Sequence, residues 1–270
     1  MLVTGGAHRV GGAISRHLAA LGARVHVAYH ASADDARRLV DGLPHGGRAY
    51  ASDLVAADGA ERLLAACAAD GEPPDAVVHA AASFLARPIA QTTAADWDRV
   101  FALNTRAFFL LARGFAARHG VAEGGETGGG GANGGGGGGA QGRDAERDLS
   151  LVAIADSGAL ELWTGYAAHC VSKAALLPLV QVLAKSLAPA VRVNAVIPGP
   201  VLPEPDSEPG QVEAMRRRTL LQRVGEPEDV AAAVAYLLVN RFCTATLLEV
   251  TGGAHLWRGD LGRQGEATES

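Results

Sequence analysis

Leu2-Val3-Thr4-Gly5-Gly6-Ala7-His8-Arg9-Val10-Gly11 decides how this chain is built. A short apolar strand runs into a Thr-Gly turn, and helical periodicity then carries Val10–Leu21. Glycines at such a turn let the backbone approach a pyrophosphate closely. The helix start behind them offers unpaired N–H groups and the positive end of the helix dipole. A glycine pattern alone says little, but a strand before it and a helix after it make a dinucleotide site the stronger reading over an ordinary turn.

The same alternation continues outward. Further strands are expected at Arg24–Tyr29, Arg48–Ala51, Ala76–His79, Ser150–Ala155, Val191–Val196 and Leu247–Val250, after the first at Leu2–Thr4. Helical periodicity marks Ala57–Ala69, Ala94–His119, Ala174–Leu187 and Pro227–Val239. Strand–helix units repeated this often imply right-handed crossovers and a mostly parallel sheet covered on both faces. The expected fold is α/β: one doubly wound Rossmann-type domain over residues 1–257, with seven strands and a flexible tail at 258–270. One segment breaks the rhythm, because 124–142 holds 13 glycines in 19 residues. Such a stretch buries little apolar surface and is expected to be a disordered surface insertion.

Composition narrows the function classes. The chain has 270 residues, 48% of them hydrophobic, and a formal net charge of −5. No basic block stands out, so neither nucleic acid nor an anionic membrane is expected as a partner. No apolar run in the sequence approaches the roughly 20 residues of a membrane helix. Cys67, Cys170 and Cys243 lie apart, without metal-ligand spacing, and read as reduced thiols of a cytoplasmic protein that holds no metal. Met1 runs straight into the first strand, so no secretory segment is expected.

Tyr166-Ala-Ala-His169-Cys-Val-Ser172-Lys173 resembles the Tyr-x-x-x-Lys active-site helix of the short-chain dehydrogenase/reductase family, with histidine in the place of the catalytic tyrosine. Thr4–Gly11 is similar to that family's Thr-Gly-x-x-x-Gly-x-Gly, with Arg9 for the middle glycine, as in its pteridine reductase branch. Arg192-Val-Asn194-Ala-Val-Ile-Pro198-Gly199, Arg223-Val-Gly225-Glu-Pro227 and Thr251-Gly252-Gly253 continue the likeness, which spans Leu2 to Leu256 apart from the glycine insertion. The family's first strand has several more residues before its Thr-Gly, so a truncated start is an open expectation.

The resemblance implies a cofactor site at Gly5, Arg9, Val10, Gly11, Asp53, Leu54, Pro198, Gly199 and the ribose-binding Lys173. Ala81 and Ser83 would leave room for the cofactor, although His79-Ala80-Ala81-Ala82 departs from the family's Asn-Asn-Ala-Gly and is expected to loosen that strand end. No acidic residue follows the second strand before Asp34, which reads as part of the next helix. Arg9, His30 and Ser32 offer donors to a 2′-phosphate, which favours NADP(H) over NAD(H). His30 also reads as a plain surface residue.

For the chemistry, the resemblance implies that Asn104 frees a helix carbonyl to hold a water joined to Lys173, unless it is simply a polar helix position. Asp156 stands where most of the family has serine. It reads either as the pteridine reductase aspartate, which takes part in proton delivery, or as a turn residue with Ser157-Gly158. Phe84 is either the ring that covers a bound pterin or a core residue. His169 reads as an acid or water-holder, or as a satisfied buried histidine, and imidazole reaches roughly 2 Å less far than phenol. Tyr166 lies on the substrate side, either as a second proton route seven residues before Lys173 or as a non-catalytic tyrosine. Two functions follow: an NADPH-dependent reductase of a pterin-like or other carbonyl or imine small molecule, or a non-catalytic NADP(H)-binding sensor or partner subunit. The resemblance also implies a homodimer or homotetramer.

Overall fold

The computed structural model describes residues 1–121, 147–203 and 207–256; the glycine-rich insertion and the C-terminal tail lie outside these. Seven strands, β1 (Leu2–Thr4), β2 (His26–Tyr29), β3 (Ala49–Ala51), β4 (Ala76–His79), β5 (Leu149–Ile154), β6 (Val191–Pro198) and β7 (Leu247–Val250), form one sheet in the order β3-β2-β1-β4-β5-β6-β7. Every neighbouring pair is parallel.

The helices are α1 (Arg9–Ala20), α2 (Ala33–Asp41), α3 (Gly59–Ala69), α4 (Ala94–Phe101), α5 (Ala107–Arg118), α6 (Gly158–Glu161), α7 (Ala167–Leu187), α8 (Pro209–Arg217) and α9 (Pro227–Val239). Successive strand residues point to opposite faces, so both faces of a covered sheet must be apolar. Leu2, Val77, Leu151 and Val193 pack with Leu64 of α3, Phe108 and Phe115 of α5, and Leu176 and Val180 of α7. Their neighbours Val3, Val78, Val152 and Val196 pack with Ile14 and Leu18 of α1 and Val230 and Val234 of α9.

Three local features differ from the sequence reading, and all three bear on the site. The expected helix Ala94–His119 is interrupted by a π-turn over Ala102–Arg106. The helix expected from Ala174 begins at Ala167, so His169 and Lys173 both lie within α7. Its first turns carry His169, Ser172 and Lys173, which are buried with hydrogen bonds to other elements rather than along an apolar stripe. Finally, Ala94–Arg118 and Ala167–Leu187 are long and apolar enough to cross a membrane by length and composition, which corrects the expectation that no segment qualifies. About half of each such window is packed inside the fold, and the apolar residues there serve the core.

Candidate active site

The strand order reverses beside β1, and at such a switch point the loops after neighbouring strands diverge and leave a crevice. A cleft of about 1270 Å³ opens there, lined by the turns after β1 to β6. Its floor is set by close backbone approach. Gly5 has φ +62°, and a Cβ on it would lie 2.8 Å from Ala81 Cα; a Cβ on Gly11 would lie 2.2 Å from Gly5 O. Arg9 takes φ +48°, the left-handed conformation that suits a glycine at this position. The N-cap His8 makes no side-chain cap bond to α1, and no acidic residue lies in that helix's first turn. The end of α1 therefore keeps its donors and its positive dipole for an anion.

Gly5, Arg9, Val10, Gly11, His30, Asp53, Leu54, Ala81, Ser83, Pro198 and Gly199 all line this cleft. Ser32 does not; it is the N-cap of α2, and Asp34 and Asp35 occupy that helix's first turn. Arg9 Nη2 donates to Leu202 O at 3.1 Å, across to the loop after β6. Tyr29, Ser52 and Val55 also line the cleft. No motif marks these three, because their place follows from how the loops converge. A nicotinamide dinucleotide fits this floor. Its phosphates would meet the start of α1, and a 2′-phosphate would meet Arg9 and His30, near Asp35, whose carboxylate is held by His8 Nε2 at 3.1 Å.

The chemical half of the cleft is built from the start of α7, the end of β5 and the loop after β4. His169 is 2% exposed. Its Nδ1 lies 3.1 Å from Ser83 O. A carbonyl only accepts, so Nδ1 carries the proton. Nε2 is buried without a hydrogen-bond partner and lies 3.7 Å from Asp156 Oδ1. Asp156 is both a turn residue and a cleft residue: Oδ1 accepts from Gly158 N–H at 2.7 Å, and the side chain is 25% exposed.

Lys173 is buried and donates from Nζ to Ile154 O at 2.7 Å. Burial pushes its ammonium down to about 8, against the pull of Asp156. Asn104 is fully buried in the π-turn. Its Oδ1 accepts from Ser83 N at 2.7 Å, and its Nδ2 donates to Ser83 O at 3.1 Å and to Ser172 Oγ at 2.9 Å.

Phe84 is 53% exposed and is not a core residue. Its ring meets His169 edge-on at 4.7 Å and tilts over Tyr166 at 4.9 Å. Trp163, which the sequence reading did not single out, lies parallel to the His169 ring at 6.4 Å and extends this aromatic wall. Tyr166 lines the cleft but is the N-cap of α7, so the seven-residue helical spacing to Lys173 does not apply to it. Arg218 closes the far wall, held to Glu161 at 2.6 Å. The expected loosening of the β4 end does not occur. His79 is fully buried there, with Nδ1 2.8 Å from Thr4 Oγ1 and Nε2 3.1 Å from Leu103 O.

A family model described as enoyl-(acyl carrier protein) reductase matches residues 5–127 and 141–255. Over 93% of the chain, the sequence is also 32% identical to (3R)-3-hydroxyacyl-CoA dehydrogenase of Mus musculus, covering 94% of that protein. This chain is a short-chain dehydrogenase/reductase. As such it is an oxidoreductase, and its interruption in the family match falls within the glycine-rich segment. Another relative is the chloroplastic NADPH-dependent aldehyde reductase-like protein of Arabidopsis thaliana, 28% identical, with 93% of this chain and 92% of that protein covered. Among solved structures, the chain is similar to FolM alternative dihydrofolate reductase 1 of Brucella canis in complex with NADP. That match has a TM-score of 0.80 and 26% identity, and covers 98% of this chain and 97% of that one.

Proposed function

We propose that this short-chain dehydrogenase/reductase uses NADPH to reduce a C=N or C=O group of a planar, pterin-like small molecule, with Asp156 and His169 together supplying the proton. The observation that carries this reading is the buried, partnerless Nε2 of His169 facing Asp156 at 3.7 Å. With the Nδ1 proton committed to Ser83 O, Nε2 and the carboxylate present two acceptors to each other. One proton held by the pair relieves that opposition once the two atoms, 3.7 Å apart here, close to hydrogen-bond distance. Asp156, the exposed member, meets the substrate, and His169 stands behind it.

Bound nicotinamide supplies the hydride to the substrate carbon. The proton held by the pair passes through Asp156 to the heteroatom, leaving the carboxylate and neutral imidazole, and solvent reloads the pair at Asp156. The Phe84 ring, exposed and edge-on to His169, offers a face for a flat substrate. Support for NADP(H) comes from Arg9 and His30 in the cleft and from the NADP complex of the Brucella canis protein.

A second reading, a non-catalytic NADP(H)-binding protein, is favoured by the burial of His169 and the anchoring of Nδ1 to backbone. The test is NADPH oxidation over dihydropterins, dihydrofolate, quinones and diketones by wild type and Asp156→Asn. Wild-type turnover is expected, with a fall of about 10²–10⁴-fold in kcat/KM for the variant. Equal rates in the two proteins would reject the role of the pair.

A further inference from the structure

Ala107 N–H bonds to Ala102 O, five residues back, so Leu103 O loses the helical donor it would have in an unbroken helix. His79 Nε2, 3.1 Å away, supplies a donor instead. Because Nε2 must donate, Nδ1 accepts, and the Thr4 hydroxyl 2.8 Å away gives its proton to it. Thr4 Oγ1 in turn accepts from Ala81 N–H at 3.3 Å. Each donor in this chain has one acceptor, so the His79 ring has one tautomer and one orientation. Burial, with Lys173 adding to it, pushes His79 down to about 3 and keeps the ring neutral.

The residue after Leu103 is Asn104, which grips Ser83 from both sides. Ser83 O then accepts from His169 Nδ1 as well. Two sets of hydrogen bonds, joined through the backbone between Leu103 and Asn104, thus connect Thr4, next to the Gly5 turn, to the imidazole of His169.

We infer that His79 is a positioning residue: by holding the π-turn at Leu103 it sets, through Asn104 and Ser83, the orientation and tautomer of the His169 ring. The catalytic consequence rests on the proposed role of His169; the structural consequence does not. His79 takes over what the missing asparagines of this strand end do not supply, and it ties the proton-holding pair to the turn that receives the cofactor.

The experiment compares wild type, His79→Phe and His79→Gln in the full chain. Phenylalanine keeps the ring and loses both bonds, whereas the glutamine amide can still donate to Leu103 O. Ring ¹⁵N spectra of histidine-labelled protein are recorded with and without NADP⁺, next to calorimetric NADPH binding and steady-state kinetics. His169 is expected to keep Nδ1 fully protonated in wild type and His79→Gln, whatever the state of Nε2, and to show a mixture of Nδ1–H and Nε2–H forms in His79→Phe. NADPH affinity should change less than about twofold, while kcat in His79→Phe falls about 10²-fold, the cost of a misplacement of about 1 Å. His79→Phe combined with His169→Asn should be no slower than His169→Asn alone.

An unchanged His169 tautomer in His79→Phe, with additive kinetic losses, would overturn the inference whatever the change in melting temperature. If His79→Phe does not fold, a mixed tautomer in His79→Gln overturns it, and a fully protonated Nδ1 there with unreduced kcat supports it. If wild type reduces no substrate, the functional proposal fails, and the tautomer spectra still decide this one.

Discussion

Asn104→Asp is an isosteric change that the structure expects to be worse than its size suggests. Asn104 makes three side-chain hydrogen bonds in a fully buried place, one as acceptor from Ser83 N and two as donor, to Ser83 O and Ser172 Oγ. Aspartate keeps the first. Its second oxygen then faces Ser83 O, and it faces a Ser172 hydroxyl whose proton already goes to His169 O at 2.7 Å. Two bonds are lost, at about 1 kcal/mol each, and a carboxylate is left buried while the Lys173 ammonium is bonded to Ile154 O, so the total is about 3–5 kcal/mol at pH 7. Asn104→Ala removes all three bonds and strands the Ser83 N–H, also costing about 3 kcal/mol or more, but without a charge. The two variants separate by pH. Burial raises the new carboxyl above its unfolded value, so the aspartate penalty is present above the folded-state pKa. It shrinks as pH falls through that value toward the unfolded one, whereas the alanine penalty stays flat. Urea unfolding at pH 7 and pH 5 reads both. A loss below about 1 kcal/mol for Asn104→Asp at pH 7, or the same pH response in both variants, would refute the clamp.

Other expectations follow from single contacts. Lys173 is held near 8 in the fold against 10.5 for an unperturbed lysine. The unfolded chain therefore binds more protons at this site between those values, and the Lys173 contribution to stability should rise with pH there by roughly 3 kcal/mol. The raised Cys67, Cys170 and Tyr50 act in the opposite sense. The contribution is read as the difference between wild type and Lys173→Met over that range, and a difference that does not change with pH would refute it. Gly11→Ala places a Cβ 2.2 Å from Gly5 O, and the displaced turn should weaken NADPH binding roughly tenfold by calorimetry. Unchanged affinity would mean that the turn is not the phosphate site. Arg192 joins both oxygens of Asp148 to the carbonyls of Leu237, Leu238, Asn240 and Cys243 at the end of α9. Arg192→Met should cost about 3–5 kcal/mol in urea unfolding, and a loss under about 1 kcal/mol would show these bonds to be dispensable.

The sheet was legible because a doubly covered strand must be apolar on both faces, and Val77-Val78 and Leu151-Val152 say so directly. The end of β6 was not. Ile197-Pro198 looks like a terminator, yet pairing with β7 continues to Pro198↔Val250, since proline at a strand end lacks only a donor. The start of α7 was hidden because His169, Ser172 and Lys173 are buried through polar partners on other elements. The π-turn was hidden for a related reason, since its stray carbonyl is satisfied by a histidine 24 residues earlier. Asn104, Asp156, His169 and Lys173 could be picked out by resemblance, but not the contact between Nε2 and Asp156, nor Trp163 and Arg218, which come from segments with no motif. His79 looked like a loss of asparagines, and only the fold gives its ring two partners.

If the Asp156–His169 pair holds the reaction's proton, removing Nε2 must slow the chemical step itself. Single-turnover NADPH oxidation, followed by nicotinamide fluorescence, isolates that step in wild type, His169→Asn and His169→Tyr with the best substrate of the reductase panel. The asparagine amide can still donate to Ser83 O but offers nothing at Nε2. A fast wild type is expected, with a His169→Asn rate lower by about 10²–10⁴-fold and NADPH binding intact. A silent wild type whose turnover appears only in His169→Tyr would contradict the shared proton and make this chain a cofactor-binding relative without chemistry of its own.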